Sequence, residues 1–316
     1  WYPITPSSSV AESFIKHCQK FRIDPATGKH KYAIVQAEDE LASIGMVIGA
    51  GWNGARAFTA TSGPGISLMT EFIGLAYFAE IPAVLVDVQR GGPSTGMPTN
   101  VEQSDLMQAI YGSHGDTPRV VLAPKNVEDC FYIALEAARI ARTYSTPVII
   151  LTDQGLSSRI EVFAEPDLAK VMVAPKLDLS ERPATFKPYP LDAITQHAPP
   201  GARIGSGKYP TVTGLEHDEH GHPTGSPKLH AQMNAKRREK IKALNPRPGA
   251  DFDRAPEQTI VPDVLMRLLP DGSWHIELNP DTLPRVLVNE RYYARVSGAA
   301  QRDVARPQRI LTLPRH

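Results

Sequence analysis

Through residue 152 the chain alternates short runs of β-branched and aliphatic residues with longer stretches of helical period, and that alternation restricts it to few architectures. Successive strands separated by helix-length segments are returned to the same end of a sheet by each crossover. The outcome is a parallel α/β sheet with helices packed on its faces. The runs predict strands over 32–36, 57–61, 83–88, 119–122 and 148–152, and helices over 10–21, 39–49, 66–79, 101–111 and 127–144. Ser9 with Glu12 three residues on reads as a capping box opening the first helix.

The character changes near Pro175. Residues 1–175 read as one α/β unit, and 176–257 as an extended Pro- and His-rich connection with one basic helix at 229–244. In that helix Lys236-Arg237-Arg238-Glu239-Lys240 reads as a solvated face. Residues 258–296 predict a small β-rich appendage with an alternating segment at 273–278, and 297–316 a frayed tail.

The 34 Lys and Arg balance 34 Asp and Glu, which argues against a chain-wide nucleic-acid or membrane-surface role. Cys18 and Cys130 are the two cysteines, too few for a disulfide framework, a Cys-rich zinc site or a four-cysteine iron–sulfur cluster. No apolar run approaches the roughly 18 residues of a membrane span and no secretory pattern opens the chain, so the cytoplasm is the expected compartment.

In open parallel sheets ligands bind beyond the carboxyl ends of the strands. There the sequence places Ala37-Glu38-Asp39-Glu40, Ser62-Gly63-Pro64-Gly65 and Gln89-Arg90-Gly91-Gly92, so one rim gathers a carboxylate, a Gly-bracketed hydroxyl turn and an arginine. Singly each reads as a helix-end acid, a turn and a surface ion pair; jointly they predict a site for an anionic ligand. Gly49-Ala50-Gly51-Trp52-Asn53-Gly54 fits the dinucleotide glycine pattern in inverted context, after a helix and before a strand. It predicts a helix end and close packing instead of a nicotinamide or flavin site. His217-Asp218-Glu219-His220-Gly221-His222 reads as a solvated or partner-facing loop, not a zinc site, and Ser113-His114-Gly115-Asp116 as no triad.

Tyr2-Pro3-Ile4-Thr5-Pro6-Ser7-Ser8, Gln36-Ala37-Glu38-Asp39-Glu40, Thr59-Ala60-Thr61-Ser62-Gly63-Pro64-Gly65, Val88-Gln89-Arg90-Gly91-Gly92-Pro93-Ser94-Thr95-Gly96 and Gly115-Asp116 together resemble the alpha subunit of the 2-oxoacid:ferredoxin oxidoreductases. The similarity is to the 2-oxoglutarate (KorA-type) branch and spans residues 1–244. The resemblance implies the pyrimidine-binding domain of a thiamin diphosphate fold. It implies Glu38 as the catalytic glutamate that hydrogen-bonds the aminopyrimidine, Thr5 and Arg90 as holders of the substrate carboxylate and keto group, and Thr61, Ser62 and Gly63 with Glu38 as cofactor-binding residues. It further implies oxidative decarboxylation of 2-oxoglutarate with coenzyme A to succinyl-CoA, carbon dioxide and reduced ferredoxin, with pyruvate or another 2-oxo acid as the alternative substrate. The Gly-Asp-Gly and Asn motif for the diphosphate and magnesium is absent from the sequence, as are cluster cysteines. The resemblance therefore implies a beta subunit that shares the cofactor, in an α2β2-type assembly.

Residues 258–296 carry a second resemblance, through Thr259-Ile260-Val261-Pro262-Asp263-Val264-Leu265, Gly272-Ser273-Trp274-His275-Ile276-Glu277-Leu278-Asn279 and Leu283-Pro284-Arg285-Val286-Leu287-Val288-Asn289. These blocks resemble the core-polymerase-binding region of the RpoN-type sigma factor. A chain that opens inside a motif without Met and changes resemblance near 245–256 reads as a fragment or a chimaeric frame. The alternative function is then an inactive fragment whose tail contacts RNA polymerase core.

Overall fold

A computed structural model describes residues 1–194, 198–205, 207, 209–242 and 244, together with the strand segments 258–260, 264–268, 274–278 and 311–313. The expected parallel sheet is present. β1 (Phe58–Thr61), β2 (Ala83–Gln89), β3 (Val120–Leu122) and β4 (Pro147–Asp153) run parallel in the order β1-β2-β4-β3, and β5 (Gln258–Ile260) adds an antiparallel edge beside β3. β6 (Val264–Leu268), β7 (Trp274–Leu278) and β8 (Leu311–Leu313) form a separate three-stranded antiparallel sheet. β7 covers most of the expected alternating segment; Leu311–Leu313, inside the expected frayed tail, is instead a strand paired with β7, and the rest of 279–316 lies outside the described residues.

Both faces of the parallel sheet are covered, which is why its strands read as nearly continuous apolar runs. One face packs Leu85, Val121, Ile149 and Leu151 under α2 (Glu40–Trp52), α3 (Gly63–Phe78) and α4 (Leu106–Tyr111). The other packs Val84, Val120, Leu122, Val148 and Ile150 against α5 (Val127–Tyr144), and the one-turn α6 (Gln154–Ser157) follows β4. Each fully buried aliphatic side chain contributes about 1.5–3 kcal/mol, so this double burial fixes strand register. Gly51 is where α2 meets the sheet: a Cβ there would lie 2.0 Å from the Pro82 carbonyl oxygen, so its role is close packing. Among the described residues no helix is long and apolar enough to cross a membrane.

Three local expectations are corrected. Residues 32–36 form no ladder. Val35 is half exposed and the segment buries no face, so it stays extended, tied by hydrogen bonds from the Trp1 nitrogen to Val35 O (2.7 Å) and from Ala37 N to Trp1 O (2.8 Å). The capping box is absent because α1 (Ser8–Phe21) begins before Ser9, whose hydroxyl donates to Pro6 O (3.1 Å) from inside the helix. α4 starts at Leu106 because Glu102 turns back to accept from Gly92 N (3.0 Å).

The basic run is the largest departure. α7 (Pro227–Lys242) is packed into the domain: Ile241 and Leu244 join the α5 core, and Lys236, Arg237 and Lys240 are all buried. Lys236 Nζ and Lys240 Nζ donate to the two oxygens of fully buried Glu80 (2.5 and 2.8 Å), and Lys240 also reaches Ser145 O (2.9 Å). Arg237 pairs with Glu216 (3.0 Å) and stacks over Phe78, 3.9 Å from the ring centroid. His217 is likewise buried rather than solvated. The Asp218 carbonyl can only accept and Arg237 can only donate, so its Nδ1 carries the proton and its Nε2 accepts; burial, then the Arg237 charge, holds this imidazole neutral. The solvated-face reading fails because these cations meet partners far away in sequence.

Candidate functional site at the carboxyl edge of the sheet

The carboxyl ends of β1 and β2 lie side by side, with Thr61 in register with Asp87. Beyond β1 the chain turns at Ser62 and enters α3 through Gly63-Pro64-Gly65; beyond β2 it passes Arg90-Gly91-Gly92. The latter loop folds back on itself through Met97 N to Gly91 O (2.7 Å) and Gly91 N to Asn100 O (3.0 Å). Gly96 permits this with φ of 55°, since a Cβ there would sit 1.8 Å from Gly91 O.

Residues 1–5 join the expected site residues. This segment lies against Val35 and Ala37, the residue before Glu38, and at its far end the Thr5 carbonyl accepts from Arg90 Nη1 (2.5 Å). Thr5 and Arg90 are thus joined at one end of this strap, and Ala37, the residue before Glu38, is tied to its other end. Asp39 caps α2 by accepting from Ala42 N (2.7 Å), and Glu38 just before it stands exposed on the rim. The Thr5 side chain is exposed too, whereas Arg90 is only 6% exposed.

The interior of the rim holds unsatisfied groups. Thr61 Oγ1, Ser62 Oγ and Arg90 Nε are buried with no hydrogen-bond partner among the described residues, although buried polar atoms are ordinarily paired. Ser62 occupies the N-cap position of α3 without capping it. Two hydroxyls and a guanidinium edge left open beside a helix start and two glycines form a cradle for a polar, partly anionic group. A Cβ at Gly65 would lie 1.9 Å from Thr61 Oγ1 and 2.9 Å from Glu40 Cγ. Gly65→Ala must therefore displace Thr61, and a melting temperature lowered by an amount equivalent to about 1–3 kcal/mol is expected; an unshifted melt would contradict the close approach.

Residues that sequence reasoning missed stand just beneath the cradle. Asp87 is fully buried in β2, and burial, then neighbouring Asp105, push its carboxyl well above the usual carboxylate range. Gln89 bridges Asp105 N (3.0 Å) and Thr152 O (3.0 Å). The available signal was a charged residue inside the otherwise aliphatic Ala83-Val84-Leu85-Val86-Asp87-Val88 run. Among the described residues no cluster of three or more His, Cys, Asp or Glu side chains could hold a metal ion.

Comparison with known proteins gives this edge a context. Residues 1–236 match the family described as pyruvate flavodoxin/ferredoxin oxidoreductase, thiamine diphosphate-binding. Residues 228–292 match the sigma-54 factor core-binding domain. The chain is 44% identical over 254 residues to 2-oxoacid:ferredoxin oxidoreductase 2, subunit alpha, of Aeropyrum pernix, a match covering 78% of this chain and 39% of that protein. It is 41% identical over 232 residues to the 2-oxoglutarate synthase subunit KorA of Methanocaldococcus jannaschii, covering 73% and 59%. The fold matches, with a TM-score of 0.67 and 38% identity, 2-oxoglutarate:ferredoxin oxidoreductase from Magnetococcus marinus, solved with 2-oxoglutarate, coenzyme A and succinyl-CoA bound; the match covers 79% of this chain and 43% of that one. The chain thus spans 39% and 59% of the lengths of these two curated relatives. A parallel sheet with a glycine-bracketed cradle at its carboxyl edge, matched from residue 1 to residue 236, makes the chain a member of the thiamine diphosphate-binding family of pyruvate flavodoxin/ferredoxin oxidoreductases.

Proposed function

We propose that residues 1–244 are the pyrimidine-side part of the alpha subunit of a thiamin diphosphate-dependent 2-oxoacid:ferredoxin oxidoreductase, working in the cytoplasm. The reaction converts 2-oxoglutarate, coenzyme A and two oxidised ferredoxins into succinyl-CoA, carbon dioxide, two reduced ferredoxins and a proton. The observation that supports this reading is that Arg90, held to the Thr5 carbonyl, and the Thr61 and Ser62 hydroxyls keep buried polar atoms without partners among the described residues at the carboxyl edge of β1 and β2.

Bound at this edge, thiamin diphosphate supplies the nucleophilic carbon and the electron sink that decarboxylation needs. The chain's residues orient it. Glu38 is an exposed carboxyl able to exchange a hydrogen bond, and a proton, with the aminopyrimidine, while Thr61, Ser62 and Gly63 offer two hydroxyls and a close backbone approach. Arg90, with Nε open, would present a planar donor edge to the carboxylate of the oxo acid, and exposed Thr5, joined to Arg90 through its carbonyl, would offer its hydroxyl to the keto oxygen. A beta subunit would supply the missing diphosphate and magnesium motif in an α2β2-type assembly. The substrates in the Magnetococcus marinus structure favour 2-oxoglutarate over pyruvate.

The test is co-purification with a cognate beta subunit and 2-oxoglutarate-dependent reduction of a viologen dye, with pyruvate compared by kcat/KM. Arg90→Lys, which replaces a planar fork with a point charge, is expected to raise KM for the oxo acid by about 10- to 100-fold. An unchanged KM would remove Arg90 from the substrate site. A second reading, favoured by the sigma-54 match, is a polymerase-binding module. It predicts capture of core RNA polymerase through 258–296 and no turnover in any pairing.

A further inference from the structure

Asp87 lies on the β2 face that carries Ala83 and Leu85, fully buried, and neither carboxyl oxygen has a hydrogen-bond partner among the described residues. Asp105 stands at the N-cap position of α4, yet its side chain caps no helix N–H, and its Oδ2 is also unpartnered. That carboxyl lies instead against the α3 turn, where a Cβ on Gly63 would lie 2.8 and 2.9 Å from its two oxygens, while Gln89, two residues after Asp87 on the same face of β2, holds the Asp105 N–H and makes the two acids neighbours. The Asp105 backbone N–H meanwhile donates to Gln89 Oε1 (3.0 Å), so β2, the α3 turn and the start of α4 converge on one residue.

Two ionised carboxyls cannot face each other in a dry interior, because both are acceptors and both carry charge. One proton held between them converts the contact into an O–H···O bond. Among the described residues no cation is found acting on Asp87. Its register neighbours are Thr61 in β1 and Leu151 in β4, both uncharged. Arg90 and Glu102, from the loop after β2, act on Asp105 in opposite senses, and Glu102 is itself held by Gly92 N–H (3.0 Å). Burial is the leading influence on both acids and raises both.

We propose that Asp87 and Asp105 share one proton as positioning residues, and that their O–H···O link sets the spacing between the Ser62-Gly63 turn and the Arg90-Gly91-Gly92 loop. Closing this gap with a hydrogen bond keeps the Arg90 guanidinium at a fixed distance from the hydroxyl cradle. That spacing affects turnover only if the proposed function holds, whereas the proton itself can be read in the isolated chain.

Infrared difference spectroscopy of the full chain against Asp87→Asn at neutral pH is expected to show the carbonyl band of a protonated carboxylic acid in the parent and not in the variant. A parent without that band overturns the shared proton. Because the folded pair holds its proton above the ordinary carboxylate range, the stability it contributes is full in acid and falls as pH rises. The folding equilibrium of the parent should decline by up to about tenfold per pH unit through that window, one proton's worth. Asp87→Asn, whose amide donates without a titrating proton, should flatten the decline; an equal slope in parent and variant counts against the pair. Asp105→Asn makes the same replacement from the other side if Asp87→Asn does not fold. In the reconstituted complex, Asp87→Ala should raise KM for the oxo acid by about tenfold, equivalent to one charge-assisted hydrogen bond held out of place, and Asp87→Asn should restore it. A variant that melts earlier with KM unmoved shows a structural role and overturns the positioning. Absence of turnover in every pairing, parent included, rejects the proposed function and leaves the infrared and unfolding results to decide the shared proton.

Discussion

Glu80→Ala is expected to destabilise the chain by about 3–5 kcal/mol, because it strands two buried ammoniums without their carboxylate. The side chains of Lys236 and Lys240 are 4% and 2% exposed and both converge on Glu80. Burial pushes the Glu80 carboxyl up, but the charges of Lys240 and Lys236 outweigh it and hold it at about 2, below the ordinary 4.5. The contribution of Glu80 is therefore complete above pH 4.5 and is lost as pH falls through about 2. Burial lowers Lys236 to about 8, so much of the attraction is spent on desolvating the lysines, and the cluster is worth far less than its removal costs. Glu80 also sits at φ 55° just past the end of α3, a backbone conformation that suits glycine, with Ile81 N closing the turn on Ala76 O (2.9 Å). Glu80→Gly should thus be milder than Glu80→Ala by about 1 kcal/mol, although it removes the same charge. In Glu80→Ala the uncompensated lysines release protons on folding, so its stability should recover as pH is raised toward 9. Denaturant melts of parent, Ala and Gly variants across pH check all three statements. Equal stability of parent and Ala variant at pH 7 would mean that α7 is not held as described.

The largest effect on activity is expected at Glu38. In the reconstituted complex Glu38→Gln keeps the size and one donor of the side chain but cannot exchange a proton, and kcat should drop by about 10²- to 10⁴-fold. Glu38 is exposed and lies before the α2 cap, so its replacement should move stability by no more than about 0.5 kcal/mol. A matched pair of measurements, dye reduction and thermal melting, separates loss of chemistry from loss of fold. Undiminished turnover in Glu38→Ala would remove the carboxyl from the reaction and with it the assignment of this rim.

Much of this was legible in the sequence for reasons that can be named. β2 and β4 are buried on both faces, so their runs stand out from the flanking helices whichever way each side chain points. The extended stretch at 32–36 has strand composition without a buried face, and composition alone cannot supply the missing neighbour. The cations of α7 read as solvated because Glu80 lies 156 residues away from Lys236, and no local pattern reports such a partner. Thr5, Glu38 and Arg90 stood out in the sequence through their motifs, but the strap that reaches Ala37 at one end and Arg90 at the other accepts and donates through its own backbone groups, which any residues could supply. Asp87 and Asp105 were missed because the burial of one and the turning of the other exist only once β2, α3 and α4 are in place.

The docking of α7 bears on how such chains can diverge. The described residues of 171–226 hold no helix or strand longer than isolated bridges, yet the helix that follows is fixed by charge register instead of by the length of chain leading to it. Doubling a flexible loop costs only about 0.6 kcal/mol, far below the penalty for losing Glu80. Insertions and deletions should therefore accumulate in that stretch among homologous proteins, while the acid after α3 and the two lysines one helical turn apart change only together.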